Sequence, residues 1–240
     1  VVTVPAQRET RGETFGSRLL CWFQHNRRSF IWREKPDGWL VLVSEILLKK
    51  TRASRVDSFV RGFMEKYPNP KTLALADQDK LEHDLAPLGL QRQRAAHMHA
   101  LARTLVEEFN GEIPDTEEEL RTLPGLGEYS RNAVRCFAFG ERLPIVDANV
   151  VRVLARVFRP HCSRAEPRRS PEMWEIAWAL LPENASSAVH HNLALLDLGA
   201  LVCLPRKPRC RCCPLLEVCM TGGDLMHRPT CSGAEPTRSS

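Results

Sequence analysis

The chain has 240 residues, 43% hydrophobic and 26% charged, which is long enough for one large domain or two small ones. Lys plus Arg (34) exceed Asp plus Glu (29), and the formal charge of +5 permits a polyanionic partner without requiring one. No run approaches the roughly 20 apolar residues of a membrane helix, and Val1 to Arg11 lacks the basic-then-apolar order of a secretion signal; we therefore expect no membrane partner and an intracellular compartment where thiols stay reduced.

Periodicity is helical almost throughout, and no run alternates as a strand does, so the fold class expected is all-α. Residues 14–25 place Phe15, Leu19, Trp22 and Phe23 at helical spacing, with Thr14 as the cap. Asp37-Gly38 reads as a turn, 39–48 as an apolar helix ending in Lys49-Lys50-Thr51-Arg52, and 56–66 as a helix stopped by Pro68 and Pro70. Helices at 71–76, 79–85 and 91–109 follow, punctuated by Pro87 and Gly89. Residues 116–122 open with a capping box, Glu119 lying three residues after Thr116. Leu123-Pro124-Gly125-Leu126-Gly127 leads into a helix at 129–139. Helices at 149–158, 171–181 and 188–202 complete the set, with 164–170 a polar loop and 223–240 a flexible tail.

Nine cysteines in a reducing compartment need an explanation other than disulfides, and five of them fall within 203–219. Cys203, Cys210, Cys213 and Cys219 leave gaps of six, two and five residues, which suit one tetrahedral zinc ion or one cubane cluster equally well. Cys212, beside Cys213, allows a different ligand choice, while Cys21, Cys136, Cys162 and Cys231 have no assigned role. In the Leu123-to-Gly127 turn, Gly125 and Gly127 leave backbone N–H groups uncovered, a cradle for one phosphate or merely a tight connection. Asp147, just before a helix, is either its N-cap or something more. Glu45 sits in an otherwise apolar helix, where a carboxylate needs a buried partner or a task; desolvation there raises its pKa and makes it a usable acid.

Taken in order, Ser44-Glu45-Ile46-Leu47-Leu48, the Leu123-to-Gly127 hairpin, Val146-Asp147-Ala148-Asn149 and the six-two-five cysteine spacing resemble the endonuclease III branch of the helix-hairpin-helix DNA glycosylases. The resemblance spans residues 15–219. It implies two helical domains with the active site in the cleft between them. One is a six-helix barrel, 30–142, containing the helix-hairpin-helix at 116–139; the other joins 1–29 to 143–222. It also implies a [4Fe–4S] cluster on Cys203, Cys210, Cys213 and Cys219, and a monomer acting on double-stranded DNA with a mismatched or damaged base. The target nucleotide would be flipped out of the stack.

Members of that family that cleave the strand carry a lysine two residues after the hairpin's last glycine; here Tyr129 stands there, and a phenol forms no Schiff base. The resemblance therefore implies monofunctional hydrolysis. Asp147 would stabilise the sugar cation or orient water, Asn149 would position Asp147, Tyr129 would line the sugar side, and Glu45 would contact and protonate the base. DNA contacts would come from Gly125, Leu126, Gly127, Lys49, Lys50 and Thr51, with Lys49 and Leu90 as wedges into the vacated stack. Lys49-Lys50-Thr51, Val146 to Asn149 and Leu204 to Cys210 are similar to the mismatch-specific thymine and uracil glycosylases, so thymine or uracil opposite guanine is the expected substrate. Adenine glycosylases are the alternative. They usually show two glutamines at the place of Lys49-Lys50, glycine at that of Ala148, and a further C-terminal domain. An inactive DNA-binding iron–sulfur protein is the alternative of another class, and it would need neither Glu45 nor Asp147.

Overall fold

A computed structural model describes residues 6–160, 170–222 and 224, with no side-chain account of 6–13. The expected loop at 164–170, apart from Ser170, lies outside them, as do Cys162, Cys231 and the 223–240 tail, apart from Asp224. Twelve helices and no strand are present among the described residues. None of these helices is long and apolar enough to cross a membrane.

Local chemistry sets most of the boundaries. Helix α1 (Ala6–Asn26) starts well before Thr14, which is therefore an interior residue and not the cap; the added turns are too polar to show an apolar stripe. A short helix, α2 (Ile31–Glu34), was not expected at all. At Asp37-Gly38 the carboxylate accepts the N–H groups of Trp39 (3.0 Å) and Leu40 (3.4 Å), so the expected turn is the cap of α3 (Gly38–Leu48). After α4 (Ala53–Lys66), Pro70 begins α5 (Pro70–Ala74) at its first position, with Asn69 capping Thr72 at 2.9 Å. Proline lacks only an N–H that is orphaned there anyway, so it starts a helix where we expected a stop.

Asp77 caps α6 (Gln78–Leu85), and α7 (Gln91–Phe109) has the expected bounds. Thr116 caps α8 (Glu117–Thr122) through the Glu119 N–H at 3.2 Å, while its hydroxyl donates to the Glu119 carboxylate at 2.8 Å. Then come α9 (Glu128–Phe139), α10 (Ala148–Phe158), α11 (Pro171–Ala179) and α12 (Ala185–Leu201). Short 3₁₀ turns at Cys210–Cys212 and Leu216–Val218 shape the cysteine loop.

The apolar faces close into two cores. The first gathers α2 to α7 with Leu120, Leu123, Leu126 and Val134. The second joins Phe15, Leu19 and Phe23 of α1 to the apolar faces of α10, α11 and α12 and to Leu215, so the start of the chain packs with its end. A small cluster of Ala133, Cys136 and Ile145 lies between them, so Cys136 is a buried packing residue. Asn192 of α12 pins it, donating to Leu143 O at 2.8 Å and accepting from Ile145 N at 3.3 Å. Buried polar groups paired this way fix how neighbouring elements dock.

Candidate active site

Three helices deliver three acidic or phenolic groups to one cleft of about 1270 Å³. Glu45 comes from the middle of α3, Tyr129 from the first turn of α9, and Asp147 from the cap of α10. Packing of α3 against α9 brings the first two together. Tyr129 and Asp147 both lie close enough to Glu45 to influence its proton.

Glu45 is 6% exposed. Burial, then the negative Asp147, raises its pKa to about 7, against the opposing pull of Lys49, Tyr129 and Arg33. That keeps a proton available on its carboxyl near neutral pH, as a general acid requires. Burial also holds the Tyr129 phenol well above its usual range, so it stays neutral.

Asp147 is both cap and cleft residue. Its Oδ1 accepts the N–H groups of Asn149 and Val150, each at 2.7 Å, and its Oδ2 accepts the Asn149 side-chain amide at 2.7 Å. Asn149 is held in turn by Arg152, which donates to Asn149 Oδ1 and Gly199 O at 2.8 Å and to Cys203 O at 2.7 Å. A carboxylate fixed by this many donors has little freedom to turn away from the cleft.

The hairpin adjoins the cleft through Gly127, which lines it. Gly125 has φ +72°, and a Cβ there would stand 2.1 Å from His97 Nε2. His97 donates to Pro124 O (2.9 Å) and Lys49 to Gly125 O (3.1 Å), which leaves the turn's N–H groups as its outward-facing polarity. Leu126 departs from expectation: its side chain is buried in the first core, so only its backbone can reach DNA. Lys49, Lys50 and Thr51 line the cleft, whereas Leu90 stands outside it, 47% exposed, in the left-handed region at φ 55°. Arg94, 5% exposed, ties these loops together through Leu88 O, Gly89 O, Lys49 O and the Thr51 hydroxyl. Nothing in the sequence marked it, because an arginine on a helix ordinarily reads as surface.

The HhH-GPD profile, described as a superfamily of base excision DNA repair proteins, matches residues 43–177. The chain belongs to that superfamily. Among relatives, it is 36% identical over 211 residues to a thymine-DNA glycosylase of Aeropyrum pernix, covering 88% of this chain and 95% of that one. It is 38% identical over 200 residues to an adenine DNA glycosylase of Mycobacterium tuberculosis, covering 83% of this chain but 65% of the relative. A solved thermostable thymine-DNA glycosylase superposes with a TM-score of 0.83 at 32% identity, covering 90% of this chain and 98% of that one. Endonuclease III trapped in a covalent DNA intermediate gives 0.78 at 25% identity, covering 91% and 98%.

In this HhH-GPD chain Cys203, Cys210, Cys213 and Cys219 line a single cavity walled by Val153, Val157, Leu198, Val202 and Leu215. Cys212 is exposed, with its thiol on Arg209 O, and does not line it. Arg156 Nη1 reaches Cys203 Sγ at 3.2 Å. Among the described residues no three His, Cys, Asp or Glu side chains converge on a single-ion position. Four thiols lining one cavity are by their chemistry a soft donor set of the kind that an iron–sulfur cluster takes.

Sequence reading missed the opposite wall of the cleft. Arg28, Phe30, Trp32, Arg33 and His190 line it. Phe30 and Trp32 stack at 4.8 Å between ring centroids, and Arg28 and Arg33 each place a guanidinium about 5 Å from the Phe30 ring. Their spacing in the chain gives no sign of this; only the docking of 27–34 onto α12 brings them to the site.

Proposed function

We propose that this chain is a monofunctional DNA N-glycosylase that hydrolyses the N-glycosidic bond of thymine or uracil mispaired with guanine. The observation that carries it is the meeting of Glu45, Tyr129 and Asp147 in one cleft, with a phenol and not an amine beside the two carboxyls. The flipped nucleotide enters that cleft. Asp147 stabilises the positive charge that develops on the sugar and orients water toward C1′, Asn149 holds Asp147 in place, and protonated Glu45 supplies a proton to the departing base. Tyr129 closes the sugar side and keeps Glu45 oriented.

Backbone N–H groups of Gly125, Leu126 and Gly127 grip a phosphate, Lys50 and Thr51 add contacts at the cleft rim, and Leu90 fills the vacated stack. Lys49, engaged with Gly125 O, braces the hairpin as much as it wedges. Cys203, Cys210, Cys213 and Cys219 would hold a [4Fe–4S] cluster, which supplies four metal–thiolate bonds that staple the loop following α12. The two separate cores support a division into a barrel domain, 30–142, and a second domain made of 1–29 and 143–222. The 38% identity to an adenine DNA glycosylase favours adenine release as the second reading.

A single-turnover assay on end-labelled T·G, U·G and A·8-oxoG duplexes, with and without hot alkali, tests this. We expect breaks at T·G and U·G only after alkali, no borohydride-trapped adduct, and loss of base release in Asp147→Asn with duplex binding kept. Release from A·8-oxoG alone would hand the assignment to the adenine branch. Breaks without alkali would contradict the monofunctional reading.

A further inference from the structure

A linked charge cluster reaches the cleft beside the catalytic acids. Asp197 of α12 is fully buried and accepts from two arginines. Arg28 donates its backbone N–H to Oδ2 at 2.8 Å and its Nε to Oδ1 at 2.7 Å. Arg33 Nη1 bridges both oxygens at 3.1 and 3.0 Å and also reaches Arg28 O at 3.1 Å. Two guanidinium groups meet one carboxylate here, in a cleft that also holds Asp147 and Glu45, with Glu45 within the electrostatic reach of Arg33. Arg33 makes these bonds through Nη1 alone and its side chain is 11% exposed, whereas both terminal nitrogens of the more open Arg28 make no protein hydrogen bond among the described residues. The Arg28 side chain is 27% exposed and lines the cleft.

One arginine would neutralise Asp197, so the second is not required to hold that carboxylate. Arg28 stands in the cleft where a bond to a base is to be broken. When the C1′–N1 bond of a pyrimidine nucleotide breaks, both electrons leave with the base, which departs as an imide anion while the sugar becomes an oxocarbenium cation. Glu45 gives its proton to the base, water adds to C1′, and the proton that water loses restores Glu45, so charge and atoms balance. Asp147 answers the cation and Glu45 completes the base; the negative charge that develops before that proton is transferred is left for a fixed donor.

We propose that the free terminal N–H groups of Arg28, held in place by Asp197 with Arg33, hydrogen-bond to the departing pyrimidine and stabilise the negative charge that develops on it. The inference rests on the pyrimidine reading given above. It makes Arg28 a catalytic residue and Asp197 and Arg33 its positioning residues.

The test is a leaving-group series. Thymine, 5-bromouracil, uracil and 5-fluorouracil are placed opposite guanine, and single-turnover release is measured for the wild type, Arg28→Gln and Arg28→Lys, with duplex affinity measured in parallel. Thymine and 5-bromouracil are nearly equal in size but differ in acidity, which separates charge from fit. Losing one charge-stabilising donor should slow thymine release by roughly 10- to 100-fold. Halogenated bases, whose anions need less help, should lose about threefold or less by the same reasoning, and Arg28→Lys should recover most of the thymine rate. An equal loss across all four bases, or a loss of duplex affinity alone, would make Arg28 a structural or phosphate-binding residue and overturn the proposal. A wild-type chain silent on all four pyrimidines would sink the pyrimidine reading itself, and the inference with it.

Discussion

Gly199 of α12 and Asn149 of α10 are packed so closely that a Cβ on the glycine would stand 2.6 Å from Asn149 Cβ. The missing side chain is what lets Asn149 reach Asp147. Gly199→Ala should push Asn149 off its 2.7 Å bond to Asp147 Oδ2 and slow base release by ~10-fold or more, in keeping with the penalty for misplacing a catalytic group. Duplex affinity should be unchanged, because neither residue belongs to the hairpin. Single-turnover rates and binding isotherms measured on the same preparation check this; equal losses in both would mean the helices had moved as a whole.

Glu45 links activity and stability to pH in the same direction. Its folded pKa of about 7 lies above the value of 4.5 it has when exposed, so the folded state binds more protons between those pH values. Stability from this group is complete below about pH 4.5 and declines as pH rises to about 7. Glu45→Gln should therefore gain on wild type as pH increases, by up to about 3 kcal/mol at pH 8. The same protonated form is the acid, so base release should fall above pH 7 in wild type, and Glu45→Gln should be slow with no such inflection. Denaturant melts and rate profiles between pH 4.5 and 8.5 read both effects.

Much of this was visible in the sequence, and what was not has identifiable causes. Residues 91–109 could be read because Pro87 and Gly89 precede a long run of helical spacing, and the start of α10 because Asp147 is a polar cap before an apolar run. The first turns of α1 could not, since Gln7, Arg8, Glu9 and Arg11 carry no apolar stripe. Pro70 was misread because proline marks a helix's first position as well as its end. Among site residues, Glu45 stood out by contrast with apolar neighbours, and Asp147 by its place before a helix. Asp197 lies more than 150 residues from both Arg28 and Arg33 in the chain, and no local pattern signals that one carboxylate will meet both arginines.

The cysteine loop predicts which thiols matter. Cys213→Ser should abolish iron and sulfide incorporation and the visible absorption of a cluster, while Cys212→Ser should leave both intact, since its thiol faces Arg209 O outside the cavity. Iron loss in the Cys212 variant would reassign the ligand set.

Leu90 is strained as well as exposed. A left-handed leucine is disfavoured by roughly 1 kcal/mol, so Leu90→Gly should raise stability slightly. It should also weaken nucleotide extrusion, lowering the rate on paired substrates more than on single-stranded DNA. Thermal melts with a paired-against-single-strand comparison would decide; equal rates on both would remove Leu90 from the wedge role.

The second core also dictates an order of manufacture. Phe15, Leu19 and Phe23 leave the ribosome early, but their partners on α10, α11 and α12 follow more than a hundred residues later. At about 5–20 residues per second, the apolar face of α1 waits on the order of ten seconds for its cover. During that interval the first core can close while the apolar face of α1 stays uncovered. A translation product halted before α10 would hold Glu45 and Tyr129 but neither Asp147 nor the cover for α1. Such a product would be both inert toward DNA and prone to clump, so the chain gains solubility and competence in the same final step.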